Sequence, residues 1–165
     1  MPFTVNTLTL EGFRSYHRAH LTLDPALTIL HGNNAAGKTN LIEALQLLTA
    51  GESFRKPRPE EMINWESVQT SISLQATDNK RIRDVKLSII DGRRSTEVNG
   101  KKARSTHEVS AALPCIIFTP DDLRIAKDSA ERRRAEMDAL AVQLSATTQN
   151  CWVNISESSP SETAS

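Results

Sequence analysis

The chain has 165 residues, which fits one domain, and its 20 lysines and arginines are balanced by 20 aspartates and glutamates. This balance excludes the overall basic excess that is typical of proteins that bind nucleic acids by charge alone. An apolar content of 38% permits a core and excludes wholesale disorder, and no apolar stretch is long enough to cross a membrane. Because the two cysteines cannot form a disulfide framework and no secretory signal opens the chain, we expect a cytoplasmic protein without a membrane partner.

Strand patterns occupy the first 31 residues. Leu8 and Leu10 alternate with polar neighbours, and residues 19–23 alternate again, so two strands are predicted. Residues 27–31 form a short, mostly apolar run that stops at Gly32, and this run predicts a strand buried on both faces.

A helical pattern follows this third strand. Apolar side chains recur through residues 39–50 at the spacing of a largely buried helix, and Gly51 is a suitable residue to end it. Residues 52–65 contain two prolines and many charges, so we interpret them as a loop with a short helix.

The middle of the chain predicts an antiparallel meander of three or four strands. Residues 68–76 alternate strictly, residues 85–89 repeat the pattern, and Asp91-Gly92 and Asn99-Gly100 are strong hairpin signals. The expected inner face holds Val68, Thr70, Ile72, Leu74, Ala76, Val85, Leu87 and Ile89. The expected outer face is basic and holds Lys80, Arg81, Arg83, Arg93, Arg94, Lys101, Lys102 and Arg104. These basic residues could follow a nucleic-acid phosphate backbone, but we favour a solvated strand surface, because no aromatic residues interleave for base stacking.

The last third of the chain shows weaker patterns. Residues 113–118 form an apolar run that predicts a buried strand, and residues 130–144 have helical spacing. Residues 150–165 are rich in serine and have no periodicity, so we expect a disordered tail.

One motif carries chemistry, because residues 32–39 satisfy the P-loop pattern G-x-x-x-x-G-K-[ST] in full. Its members are Gly32, Asn33, Asn34, Ala35, Ala36, Gly37, Lys38 and Thr39. The glycines let the backbone turn so that amide groups point at a bound anion, and the following helix adds its positive N-terminus. Lys38 is expected to reach the β- and γ-phosphates of ATP, and the Thr39 hydroxyl is expected to bind Mg²⁺.

The surroundings of the motif predict the fold class. Strands precede the P-loop strand, and an antiparallel meander follows the P-loop helix. Small-molecule kinases normally open with the P-loop and continue in βα units. We therefore predict an α/β P-loop NTPase, specifically the N-terminal lobe of an ATP-binding-cassette (ABC) head with a β meander beside the P-loop strand and helix. A compact P-loop kinase, in which residues 132–134 clamp phosphates, is the alternative.

Three ordered motifs resemble the RecF family of bacterial DNA replication and repair proteins. The first is Gly12-Phe13-Arg14-Ser15-Tyr16, which is also similar to structural-maintenance-of-chromosomes (SMC) heads, and the second is the P-loop with its extension to Ala44. The third comprises residues 118–123 and 129–145, so the resemblance covers most of the first 149 residues. It implies that Arg14, Ser15 and Asn40 join the P-loop residues at the ATP site.

The resemblance also implies partners. A RecF-type protein binds single-stranded or gapped DNA, dimerises on ATP, acts with RecO and RecR in loading RecA, and belongs to the SOS response to DNA damage. The implied organisation is an ATP-binding lobe I at residues 1–128, the start of a helical lobe II at residues 129–149, and the tail at residues 150–165.

The chain departs from the family pattern in its missing hydrolysis motifs. The family places its signature motif and Walker B carboxylate in a C-terminal half, and neither occurs here, so we expect a truncated form without catalytic residues. Asp121 or Asp122 could hold Mg²⁺, although a polar turn that caps the next helix is the commoner role. We expect weak ATP binding or none, and no turnover. A non-enzymatic remnant of a RecF-like protein remains an alternative.

Overall fold

The computed structural model describes residues 3–78, 81–117, 129–131, 134 and 137. The chain divides into two compact units, Met1–Cys115 and Ile116–Ser165. The elements below all belong to the first unit, and the description of the fold is confined to it.

Six strands of the first unit form one antiparallel sheet in the order β2-β1-β3-β4-β5-β6. The strands are β1 (Thr4–Phe13), β2 (Tyr16–Thr22), β3 (Gln69–Asp78), β4 (Arg81–Ile90), β5 (Arg93–Val98) and β6 (Lys101–Lys102). The helices are α1 (Lys38–Thr49), a 3₁₀ helix (Pro59–Met62) and α2 (Thr106–Ala112). The predicted meander is confirmed as β3 to β6, and the predicted helix over residues 39–50 is confirmed as α1. The described part of this unit lacks the repeated βα units that the kinase alternative predicts.

Alternating apolar side chains create the core on one face of this sheet. Leu10 of β1 lies opposite Ile72 of β3, which lies opposite Leu87 of β4, and all three are fully buried. The apolar side of α1 covers this face and contributes Leu47 and Leu48 to the same core. Because burial of one such side chain stabilises a fold by about 1.5–3 kcal/mol, this face is the main source of stability.

Both predicted hairpin turns are confirmed. Asp91 and Gly92 have φ angles of 50° and 69°, and Asn99 and Gly100 have φ angles of 51° and 74°. Two consecutive left-handed residues make the two-residue turn that matches the twist of antiparallel strands. The turn chemistry therefore sets the register of β4, β5 and β6.

Two predicted buried strands are wrong for the described residues. Residues 27–31 form no strand, and Leu27 and Ile29 are 70% and 73% exposed. The six-stranded sheet places no strand beside them, and within this run Leu30 is partly buried against the core. In the second run Leu113 is buried, but residues 114–117 form no strand either, and Phe118 lies outside the described residues.

The predicted faces of the meander also need correction. Val68 precedes β3 and is 90% exposed, so it does not belong to the inner face. Arg83 and Arg94 lie opposite Ala76 and Ile89, which are fully buried, so these arginines are on the core side of the sheet. Consecutive residues of a strand point to opposite faces, and therefore neighbours such as residues 93 and 94 cannot both face outward. Lys80 lies outside the described residues.

Helix α2 was not predicted, although Ser105 followed by Glu108 is a helix-start signal. Residues 130, 131, 134 and 137 are helical, as predicted. Asp121, Asp122 and the tail over residues 150–165 lie outside the described residues. Among the described helices, none is long and apolar enough to cross a membrane.

Candidate nucleotide-binding site

The phosphate-binding loop, residues 32–37, turns sharply into α1. Gly32, Ala35 and Gly37 have positive φ angles of 149°, 65° and 92°. Left-handed residues in such a loop turn successive amide groups toward one side, which makes a concave site for an anion. The loop is exposed over residues 32–36, so this concave side is open to a ligand.

The N-terminus of α1 is left uncapped by the protein. No side chain accepts a hydrogen bond from its first amides, and no acidic residue occurs in its first turn. Between residues 34 and 39 the Ala36 amide donates to the Asn33 carbonyl, and the other five amides have no acceptor among the described residues. A helix start with free amides carries a partial positive charge and is a ready site for a phosphate.

Lys38 places a full positive charge across the same loop. Its ammonium Nζ donates hydrogen bonds to the carbonyl oxygens of Gly32 and Asn33, both at 2.7 Å. An ammonium group has three donors, so one remains for a ligand even while both carbonyls are bound. The folded-back lysine therefore lies where an anion held by the loop would also meet it.

Thr39 offers its hydroxyl from the first turn of α1, where the residue is exposed. In the described part of the chain, no group of three or more His, Cys, Asp or Glu side chains could hold a metal ion. Mg²⁺ commonly keeps several waters and uses few protein ligands together with substrate phosphates. A single hydroxyl beside a phosphate site is therefore compatible with Mg²⁺ that arrives with a nucleotide.

The turn between β1 and β2, formed by Arg14 and Ser15, lies against this loop. Asn40 donates from Nδ2 to the Ser15 hydroxyl oxygen at 3.0 Å. A Cβ atom on Gly37 would lie 2.7 Å from the Tyr16 hydroxyl and 2.9 Å from the Ser15 hydroxyl oxygen, so only glycine fits. Burial raises the pKa of the Tyr16 hydroxyl above its ordinary value of 10.0. The structure thus brings Ser15 and Asn40 beside the loop.

Arg14 is directed to the buried side of α1. Its Nε and Nη2 donate to the two carboxylate oxygens of Glu43 at 3.1 and 2.7 Å, and its Nη1 donates to the Glu61 carbonyl at 2.5 Å. Arg55 donates from Nη1 to Glu43 and to the Asn40 side chain, both at 2.9 Å. Glu43 and Arg55 were not predicted as site residues, although a carboxylate within the apolar stripe of α1 is a signal that a buried cationic partner exists.

These features define a class: a P-loop ATPase fold of the ABC and SMC head type, with the phosphate loop between a β hairpin and a packed helix. A family model described as an AAA domain matches residues 7–150, and the chain belongs to that family.

The particular relatives are RecF proteins. The chain is 28% identical over 152 residues to the DNA replication and repair protein RecF of Clostridium tetani, covering 92% of this chain and 41% of that protein. It is 31% identical over 135 residues to the RecF of Clostridium botulinum strain Loch Maree, covering 81% and 37%. The chain is therefore a homologue of RecF that spans about two fifths of the length of these curated relatives.

Solved structures agree. The recombination mediator protein RecF with ATPrS, of the RecFOR pathway, superposes with a TM-score of 0.81 and 26% identity, covering 93% of this chain and 41% of that one. An SMC ATPase studied for ATP-driven dimerization and DNA-stimulated activation shares the fold with a TM-score of 0.65 and 21% identity, covering 86% and 99%. The predicted RecF resemblance and the predicted fold class are confirmed.

Proposed function

We propose that this chain binds ATP at the phosphate-binding loop. The observation that carries the proposal is the uncapped start of α1, where free amides and the Lys38 ammonium converge without a nearby acid. A negative triphosphate supplies the acceptors that these donors lack. The similarity to a RecF structure that contains ATPrS supports the same conclusion.

The roles follow from position. The backbone amides of Asn33, Asn34, Ala35, Ala36 and Gly37 surround the phosphates, and the flexible Gly32 opens the turn. Lys38 exchanges its carbonyl partners for β- and γ-phosphate oxygens, and Thr39 contributes one oxygen to Mg²⁺.

Three flanking residues complete the proposed site. Ser15 and Asn40 border it through their mutual hydrogen bond. Arg14, whose guanidinium is bound to Glu43 and Glu61, acts on the site through the turn that it anchors rather than by a free charge. We propose no catalytic residue, and therefore binding without turnover.

Titration with a fluorescent ATP analogue in the presence and absence of Mg²⁺ tests this proposal. Wild-type protein should give saturable binding that weakens when Mg²⁺ is chelated. Lys38→Ala should lose about 100-fold in affinity, because it removes a charge-assisted contact to phosphate. Lys101→Ala, which removes an exposed lysine of β6, is the matched control and should bind like wild type. Absence of saturable binding to folded wild-type protein would refute the proposal.

We also propose a role in DNA replication and repair of the RecF type. The support is the similarity to RecF proteins over most of this chain. The finer proposals are a cytoplasmic protein that binds single-stranded or gapped DNA, acts with RecO and RecR in RecA loading during the SOS response, and dimerises on ATP. The proposed layout is lobe I at residues 1–128, lobe II from 129 to 149, and the tail.

Two measurements test these finer proposals. Fluorescence anisotropy with a labelled gapped duplex should show binding that ATP strengthens, and an intact duplex of equal length serves as the control. Light scattering with and without ATP should show a dimer only with the nucleotide. Equal binding to the gapped and the intact duplex would contradict the proposed preference for gapped DNA. A protein that stays monomeric with ATP would contradict the proposed dimerisation.

A further inference from the structure

Glu43 is a fully buried carboxylate on the helix that begins at the phosphate-binding loop. Four hydrogen bonds satisfy it. Its Oε1 accepts from Arg14 Nη2 and from the Ser53 hydroxyl, both at 2.7 Å, and its Oε2 accepts from Arg14 Nε at 3.1 Å and Arg55 Nη1 at 2.9 Å. A buried charge survives only when it is paired and hydrogen-bonded, and this one is fully occupied.

The two arginines that share Glu43 differ in how tightly they are held. Arg14 is 17% exposed, and its Nε, Nη1 and Nη2 all donate to protein acceptors. Two of these bonds form a bidentate pair with Glu43. Arg55 is 39% exposed and reaches Glu43 with a single nitrogen. Arg14 is therefore the principal partner of Glu43.

Arg14 also holds an unusual backbone position. Its φ angle is 52°, a left-handed conformation that costs energy for a residue with a side chain. Its amide donates to the Met62 carbonyl at 2.9 Å, and its carbonyl accepts from Asn64 Nδ2 at 2.6 Å. Together with the Glu43 pair, these bonds fix the turn that carries Ser15 and Tyr16 onto Gly37.

We propose that Glu43 is a positioning residue for nucleotide binding, which acts through Arg14 to seat the β1–β2 turn against the last glycine of the phosphate-binding loop. The inference rests on the proposed ATP site, but it makes a claim about the nucleotide-free protein as well. Loss of the Glu43–Arg14 pair would loosen the β1–β2 turn. The phosphate-binding loop would then lose the contact of Ser15 and Tyr16 with Gly37, which holds its amides in the orientation that binds an anion.

A double-mutant cycle with Glu43→Gln and Arg14→Gln tests the coupling. Each single variant should weaken the binding of the fluorescent ATP analogue about tenfold, and the double variant should bind no more weakly than either single one. Glu11→Gln, which removes an exposed glutamate that pairs with Arg18, is the matched control and should not change the affinity. Multiplied losses in the double variant, or unchanged affinity in folded Glu43→Gln, overturn the proposal.

A second readout needs no nucleotide. Tyr16 is the only tyrosine of the chain, so a ¹³C label on its ring gives one signal, which reports the burial of the ring where its hydroxyl lies against Gly37. The pKa of this hydroxyl is raised by burial in the wild type and should fall toward its ordinary value of 10.0 in Glu43→Gln and Arg14→Gln, but not in Glu11→Gln. An unchanged titration in folded Glu43→Gln overturns the proposal whether or not ATP binds.

The two readouts separate the two claims. If wild-type protein binds no nucleotide, but the Tyr16 pKa still falls in Glu43→Gln and Arg14→Gln, the proposed ATP site is refuted. The claim that Glu43 positions the β1–β2 turn then stands. Circular dichroism confirms folding of each variant. If Glu43→Gln does not fold, Glu43→Asp keeps the charge on a shorter side chain, and it should move both readouts in the same direction by a smaller amount.

Discussion

The two α-helices of the first unit, α1 and α2, begin in opposite ways. At α2, Ser105 accepts a hydrogen bond from the Glu108 amide at 3.2 Å, and the Glu108 carboxylate accepts from the Arg104 amide at 2.9 Å. At α1, Gly37 supplies no cap, and the first turn holds no acid. A side chain of α2 therefore satisfies one amide of its first turn, whereas the first amides of α1 have no side-chain acceptor.

This difference separates a structural helix start from a binding site. A cap and a nearby acid reduce the positive field at a helix N-terminus, whereas an uncapped N-terminus without an acid keeps that field available to an anion. An uncapped terminus makes α1 less stable in the free protein, and the phosphate that we propose to bind there would compensate that loss. The comparison predicts that changes at α1 act on nucleotide affinity, and that changes at α2 act on stability alone.

The largest effect is expected from Gly37→Ala. The new Cβ atom would lie 2.7 Å from the Tyr16 hydroxyl, and the φ angle of 92° is strained for any side chain. Nucleotide binding measured by fluorescence titration should be lost, a decrease of more than about 100-fold. Gly100→Ala is the control, because its φ angle is also positive but its Cβ would meet nothing within 4 Å. That variant should lose about 1–2 kcal/mol of stability and keep its affinity.

A smaller effect is expected from Asn40→Asp, which gives α1 the acid in its first turn that α2 already has. The new charge should stabilise the free helix by about 0.3–1 kcal/mol. It should also repel a phosphate at the same terminus and remove the donor to Ser15, and therefore weaken ATP-analogue binding by about fivefold. Urea unfolding and titration measure the two effects on one sample. Tighter binding in this variant would contradict the idea that the terminus serves an anion.

Ser105→Ala removes the N-terminal cap of α2 and leaves both α-helices without a side-chain cap. Loss of the cap should lower the free energy of unfolding by about 1 kcal/mol, as measured by urea denaturation. The affinity for the ATP analogue should stay at the wild-type value, because the cap of α2 serves only its own helix. A parallel loss of affinity would show that the two termini are not independent.

The smallest effect concerns Asp24, whose carboxylate accepts hydrogen bonds from the Ala26 and Leu27 amides ahead of the loop. These bonds lower its pKa below the ordinary 3.8. Because the pKa of Asp24 is lower in the folded state, its carboxylate contributes fully to stability above the pKa of the unfolded state. This contribution is lost as the pH falls through the pKa of the folded state. Asp24→Asn should thus be slightly less stable than wild type near about pH 6, and the urea midpoints should converge as the pH falls below the pKa of Asp24 in the folded state. A gap that persists in acid would assign the effect to something other than this charge.

Local patterns determined much of this protein. The alternation around Leu8 and Leu10, the two Asx-Gly turns and the P-loop with its helix were predictable, because each depends on neighbours within a few residues. The RecF resemblance followed from motifs of the same local kind. Helix α2 carried an equally local signal in Ser105 and Glu108, but its seven residues are too few for a clear helical period.

Other features were decided only by the tertiary structure. The apolar residues 27–31 are a buried strand only if another strand lies beside them, and the described sheet supplies none. Arg94 faces the core side because of its register opposite Ile89. Glu43 is paired with Arg14, which lies 29 positions away in the sequence. The residue that we propose to position the loop therefore lies outside the P-loop motif of residues 32–39. Periodicity states which side chains need a neighbour, but only the packed chain determines which neighbour they receive, since that choice depends on contacts between residues distant in sequence.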